Sequence, residues 1–444
     1  MKTLNKAFLS LIAALIPALA LSQPIDLLSA YLLALEHDAD IHAAHNQLLA
    51  SKEATPQALA DLLPSLNASA STADIRQESE SSFSGNGKGT SQFRDEGFSI
   101  SLRQPLFDWA SFVRYKQANK IVSKAETEYL LAEQTLILRL TERYLNTLEA
   151  EVSLTLANDD ANAFSRQLEQ ARQRFEVGLI AITDVHDAQA RHDISIASQI
   201  AAKDSLYSQQ EALREIIQAD DIVLLPLAEK FPLSSPEPND IQEWESLASQ
   251  HNLSIVMAKL DVAIAKKEID ANRSGHYPQL DLVASHNYNE TGGGSFGTGF
   301  RNESDKLGLE LTMPLFVGGK TLSLTRQAAF NHKKSLDLLQ SLQRTTLRET
   351  RDSFRGVTTS LQRIQALEQA IVSNQSSLDA SEVGLEVGTR TIVDVLDAQS
   401  NLSRAKLQLI EAKKNYILNV LTLKGTNGSL SRDDLEKVNL WLKH

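Results

Sequence analysis

The sequence has no cysteine among its 444 residues. That excludes a disulfide framework and any thiolate zinc site. It is compatible with an oxidising compartment without requiring one. After the N-terminus no stretch holds 18 apolar residues in a row, so no transmembrane helix is expected in the mature chain. Positive charge is in deficit: 44 Lys and Arg stand against 56 Asp and Glu, and the net charge of −12 argues against a nucleic-acid or phosphate ligand. Phosphate loops, nucleophile elbows and zinc-protease motifs are missing, so no enzyme class suggests itself. What remains is 42% hydrophobic and 23% charged, a balance that permits a folded core and argues against wholesale disorder.

The N-terminus reads as a secretory signal over residues 1–22. Lys2 and Lys6 open it, Ala7 to Leu21 is apolar apart from Ser10 and Pro17, and Ala18-Leu-Ala20 is a small-x-small cleavage pattern. Cleavage is expected after Ala20 or Ser22. A retained anchor is the alternative, but the run is short for a span.

One stretch occurs twice. Arg174-Phe-Glu-Val-Gly-Leu-Ile-Ala-Ile-Thr-Asp-Val-His-Asp-Ala-Gln189 matches Gly384-Leu-Glu-Val-Gly-Thr-Arg-Thr-Ile-Val-Asp-Val-Leu-Asp-Ala-Gln399 at a constant offset of 387 − 177 = 210. Each copy reads as a helix end, a short turn and a helix start, with Gly178 and Gly388 as the stops. Thr183 or Asp184 is positioned to accept the first free N–H groups of the following helix. A match of this length at one offset indicates internal duplication.

The rest of the chain repeats accordingly. A helix is expected from about Asp26 to Ala60, then a weak strand at Leu66 to Thr72 and a glycine–serine loop at 79–92. Phe98, Ile100 and Leu102 alternate with polar residues in a second strand that Pro105 closes. From Trp109 to Phe175 there is neither proline nor glycine, enough for roughly 100 Å of helix. A long coiled-coil or stacked-helix element is expected there, followed by a helix over about Thr183 to Gln218. The second half shows strands at Leu280–Ser285 and Leu307–Met313 around a glycine loop at 291–304. Its long helix, about Thr321 to Glu386, is expected to be interrupted at Gly356 and Gly384, and its last helix reaches about Lys424. In that last helix Val395, Leu402, Leu409, Tyr416 and Leu423 recur every seven residues, with Ala398, Ala405 and Ala412 three residues after the first three: a close-packing heptad seam. In the first copy the matching seam holds His192 and Gln199. The organisation is therefore a signal at 1–22, a first repeat at 23–225, a linker segment at 226–240, a second repeat at 241–430 and a C-terminal segment at 431–444.

Four two-faced strands cannot close a membrane barrel, which needs at least about eight. Three chains would supply 3 × 4 = 12 and leave no edge. Phe107, Trp109, Phe112, Tyr115 and Phe316 gather where strands meet long helices, either as a membrane-interface belt or as caps on the core.

The duplicated tip, Val-Gly-Leu-Ile-Ala-Ile-Thr-Asp-Val at 177–185 and Val-Gly-Thr-Arg-Thr-Ile-Val-Asp-Val-Leu-Asp-Ala at 387–398, closely resembles the TolC-type outer membrane factors, and the similarity runs from about Asp26 to Leu442. The resemblance implies a mainly α protein with a β-barrel part: a trimer whose 12-stranded barrel in the outer membrane of a Gram-negative bacterium continues into a long periplasmic α-helical tunnel. It implies an exit duct for multidrug efflux or type I protein secretion, not an enzyme. Such a duct takes no cofactor or metal, and its partners are a periplasmic adaptor and an inner-membrane pump of RND, ABC or MFS type. The segments at 226–240 and 431–444 become equatorial. A soluble periplasmic coiled-coil adaptor or scaffold is the alternative.

The resemblance also assigns residues. Asp394 and Asp397 match aspartates that line the narrow entrance as two rings; Asp184 and Asp187 are their first-repeat equivalents, with gate or cap roles. Arg390 matches a gate arginine and Thr183 its partner, while Gln167 and Glu382 match a second pair. Asp184 matches an aspartate that relatives bond to a tyrosine, but Leu385 stands at the tyrosine position. Val177, Gly178, Leu179, Val387, Gly388 and Thr389 are the implied adaptor-docking tips. The histidines His37, His42 and His45 beside Asp38 and Asp40 suggest a metal site, but His42 and His45 have no counterpart in the second repeat, so none is assigned.

Overall fold

The computed structural model describes residues 24–81, 87–219, 222–293 and 299–443. The signal reading on 1–22 and the central residues of both glycine loops lie outside them. The chain order is α1 (Leu27–His37), α2 (Ala39–Lys52), α3 (Ala54–Ala60), β1 (Ser65–Ser81), β2 (Gly87–Phe107), α4 (Trp109–Glu176), α5 (Ile182–Ile217), α6 (Ile241–His251), α7 (Leu253–Arg273), β3 (Gln279–Thr291), β4 (Phe300–Thr312), α8 (Lys320–Glu386), α9 (Ile392–Thr426) and α10 (Arg432–Asn439).

The helix expected over 26–60 is three helices. Asp38 breaks it: its backbone is extended, its N–H bonds the Ala34 carbonyl, and its carboxylate accepts the Ile41 N–H at 3.0 Å. Arg139 of α4 holds both Asp38 and Asp40, and His42 meets the Glu36 carbonyl at 2.9 Å. Pro56, tolerated only in a first turn, opens α3.

The strands form one antiparallel meander in the order β1-β2-β3-β4. All are longer than the alternation indicated, and most of the loop expected at 79–92 is strand. Pro105 does not end β2; a register shift between Pro105 and Phe107 absorbs its missing donor. Side chains alternate faces. Leu66, Leu102, Ala284 and Leu307 lie in one cross-strand row, and the adjacent row, Asn67, Ser101, Ser285 and Lys306, faces the other way. The apolar face is bare: Leu66, Leu307, Leu309 and Leu311 are 69%, 77%, 65% and 69% exposed. Neither β1 nor β4 has a partner on its outer edge among the described residues.

Each long helix is a single element. Helix α4 runs 68 residues unbroken from the Asp108 cap, which accepts the Ala110 and Ser111 N–H groups. At α8 the interruptions expected at Gly356 and Gly384 do not occur. Both glycines serve close approach: a Cβ on Gly356 would lie 2.9 Å from the Asn419 side chain of α9, and one on Gly384 would lie 2.6 Å from Arg390 Cγ. The larger core gathers α1, α4, α9 and α10 around Leu27, Leu140, Tyr144, Tyr416 and Leu435. There the Tyr144 hydroxyl bonds the carbonyls of Ile25 and Leu225 at 3.0 and 2.9 Å, tying both flanking segments to α4. The heptad seam of α9 is buried at Val395, Leu402, Tyr416 and Leu423, while Leu409 between them is half-buried. At the strand–helix junction Phe107, Trp109, Phe112 and Phe316 are exposed rather than core caps, and the Trp109 and Phe112 rings lie 5.4 Å apart. No helix among the described residues is long and apolar enough to cross a membrane.

Candidate functional site: the paired hairpin tips

Helices α4 and α5 meet in one tip, α8 and α9 in the other. The two turns close alike. Gly178 and Gly388 take φ of 77° and 79°, where a Cβ would strain. The N–H of Leu179 bonds the Arg174 carbonyl, and that of Thr389 the Gly384 carbonyl, both at 2.8 Å.

The helix starts beyond them differ. Thr391 caps α9 in a capping box: its hydroxyl accepts the Asp394 N–H at 3.2 Å, and its own N–H reaches the Asp394 carboxylate at 2.8 Å. At α5 the matching position is Ala181, which offers no acceptor, so the expected cap from Thr183 or Asp184 is not formed; both residues lie inside the helix. Neither makes a side-chain hydrogen bond within the chain among the described residues.

The Thr391 backbone N–H, and then its hydroxyl, hold the Asp394 carboxyl below its ordinary value; Arg390, 3.8 Å away, adds to this. Asp397 instead accepts a bond from Arg191 Nη2 of α5 at 2.8 Å. Arg174 Nη1 bonds the Leu385 carbonyl at 3.2 Å, and Asp160 of α4 accepts Gln399 Nε2 and Ser403 Oγ at 2.8 and 2.6 Å. Gln167, Glu382, Leu385, Arg174 and Val177 line one cleft of about 720 Å³, so the second implied latch pair shares a surface without bonding. Leu385 packs into the tip core with Phe164, Leu168, Ile392 and Leu396, filling with carbon a place that a tyrosine hydroxyl would make polar. Val177, Leu179 and Val387 project into solvent at the extreme ends. Asp187 is exposed on α5.

Sequence reading missed Arg174, Arg191 and Asp160. Arg191 carried a signal, an arginine one residue before the seam position His192 where the second repeat has Asn401, but not the identity of its partner.

The outer membrane efflux protein model matches residues 30–218 and 244–429. The chain belongs to the outer membrane efflux protein family. Among members of that family, it is 38% identical to the outer membrane protein TolC of Vibrio cholerae over 78% of this chain and 79% of that one. It is 30% identical to the alkaline protease secretion protein AprF of Pseudomonas aeruginosa over 93% of this chain and 86% of that one. The fold matches the Campylobacter jejuni CmeC outer membrane channel with a TM-score of 0.77 at 15% identity, over 94% and 90% of the two chains.

Proposed function

We propose that three copies of this chain close one 12-stranded barrel in the outer membrane and, below it, one helical tunnel that opens at six hairpin tips. The carrying observation is the four-stranded meander, bare on its apolar face and, among the described residues, unpaired at both edges, leading into two helices of roughly 100 Å. An open sheet edge is not tolerated in lipid, and three meanders side by side remove every edge. The assembly serves as an exit duct for efflux and type I secretion. The near full-length match to a protease secretion protein supports the secretion role.

In this reading Asp394 and Asp397 line the entrance as two carboxylate rings that favour cations. Arg390, Thr183, Asp184, Gln167 and Glu382 form the latch between tips, with the tyrosine link replaced by the Leu385 packing. Val177, Gly178, Leu179, Val387, Gly388 and Thr389 meet a periplasmic adaptor, which couples the duct to an inner-membrane pump of RND, ABC or MFS type. Native mass spectrometry in detergent tests the architecture: three chains are expected, and a stable monomer or an even-numbered assembly would overturn it.

A further inference from the structure

The two entrance carboxylates are wired differently. Among the described residues the partners of Asp394 lie within its own turn: the Thr391 N–H and hydroxyl, and Arg390. Those partners travel with it wherever the tip moves. Among the described residues Asp397 is held from outside its hairpin, by Arg191 on α5 of the first repeat. Two further ties cross between the same helix pairs, Gln399 and Ser403 to Asp160, and Arg174 to the Leu385 carbonyl. The α8–α9 tip therefore rests against α4 and α5 through the apolar core that Phe164, Leu168 and Ala188 share with Leu385, Ile392 and Leu396, and through a small set of polar bonds, of which the one from Arg191 engages an entrance carboxylate.

We propose that Arg191 sets the charge of the Asp397 ring. While α9 packs on α5, the guanidinium neutralises Asp397, and a trimeric entrance presents only the Asp394 carboxylates, each with its own Arg390 3.8 Å away. When the second tip swings away from α5, the ion pair breaks and Asp397 adds its charge to the lumen. Arg191 is thus a specificity-determining residue for permeating and blocking cations, acting through Asp397. The pair is partly exposed, so its strength as a mechanical latch is small. Its effect on lumen charge is not: one cation is gained or lost for each carboxylate. This inference rests on the reading of Asp397 as a ring residue.

The test uses the purified full-length trimer in planar bilayers. It compares wild type, Arg191→Gln, Arg191→Lys, Asp397→Asn and the Arg191→Gln/Asp397→Asn double variant. Two quantities are read: the reversal potential in a potassium chloride gradient, and the affinity of a trivalent lanthanide added on the tip side. Arg191→Gln is expected to shift the reversal potential toward potassium and to tighten the lanthanide block about fivefold or more. Arg191→Lys, which keeps the charge, restores wild-type values. In the Asp397→Asn background, Arg191→Gln changes neither quantity. A purely structural role would alter conductance in both backgrounds and leave no dependence on Asp397. If Asp397→Asn alters block while Arg191→Gln does not, or if Arg191→Gln acts equally without Asp397, the inference is overturned. If Asp397→Asn itself has no effect on a formed trimer, the ring assignment fails first.

Discussion

The two tips share nine of sixteen aligned residues and close the same turn, yet they are packed oppositely. Ile392 is 4% exposed, while its counterpart Ile182 is 45% exposed. Leu396 is fully buried in the tip core; His186, at the same place in the first copy, lies on the surface. Helix α9 buries Val395, Leu396, Ala398 and Leu402 next to its tip, whereas α5 buries only Ala188 and Ser195 along its tip-proximal half and leaves Ile194, Ile200 and Tyr207 exposed. Duplication has thus preserved the turn, which is set by local backbone chemistry, while the faces on either side of it have diverged. The second hairpin buries the face of α9 within the chain but leaves Val372 and Val383 of α8 exposed.

The largest test of this contrast is a truncation at equivalent positions. Leu396→Ala is expected to cost about 2–5 kcal/mol by opening a cavity in a packed core. His186→Ala should stay within about 0.5 kcal/mol, as exposed substitutions do. Thermal unfolding of the detergent-solubilised protein, followed by helical circular dichroism, measures both. Equal losses would mean that assembly buries His186 as deeply as Leu396, and the contrast would belong to the isolated chain alone.

Sequence showed the turn far better than the wiring. The stops at Gly178 and Gly388 were legible because a positive φ is a local demand. So was the α9 seam, whose seven-residue spacing survives in the buried Val395, Leu402 and Tyr416. The strands were legible only where Leu and Phe alternate with polar residues. Their outer halves are held by ladder pairing between polar residues such as Asp74 and Arg94, 3.3 Å apart, which leave no apolar rhythm. Gly356 was misread as an interruption because the same residue that ends a helix also admits a close neighbour, and only the position of Asn419 decides between them. The Arg191 to Asp397 bond was invisible for a related reason. It depends on the rotation of α5 against α9, which no single helix encodes.

A smaller effect comes from exchanging the helix starts. Thr391→Ala removes the cap and is expected to loosen the first turn of α9 by about 1 kcal/mol. The reverse change, Ala181→Thr, places a hydroxyl at the α5 N-cap with Asp184 already three residues on, the spacing of a capping box, and should stabilise that turn by a similar amount. Hydrogen exchange of amides 182–185 and 392–395 reads both. If Ala181→Thr leaves exchange at 182–185 unchanged, the first tip is held by something other than its cap.

The smallest expected effect is the acid response of the second tip. Asp394 is held below its ordinary carboxyl range by the Thr391 N–H first and the Thr391 hydroxyl second. Between the folded and unfolded values the unfolded chain binds more protons, so this contribution rises with pH. It is fully present above the ordinary aspartate value of about 4 and disappears as pH falls through the lower folded value. Acidification from about pH 5 toward 3 should therefore loosen the start of α9, seen as faster exchange at 392–395 after correction for intrinsic rates. The start of α5, with no capping carboxylate, supplies the internal control. Because the backbone donor is the larger cause, Thr391→Val should keep most of the acid sensitivity, while Asp394→Asn should abolish it. Were Thr391→Val to abolish it as well, the hydroxyl rather than the backbone would be the decisive partner, and the ranking of the two bonds in the capping box would have to be reversed.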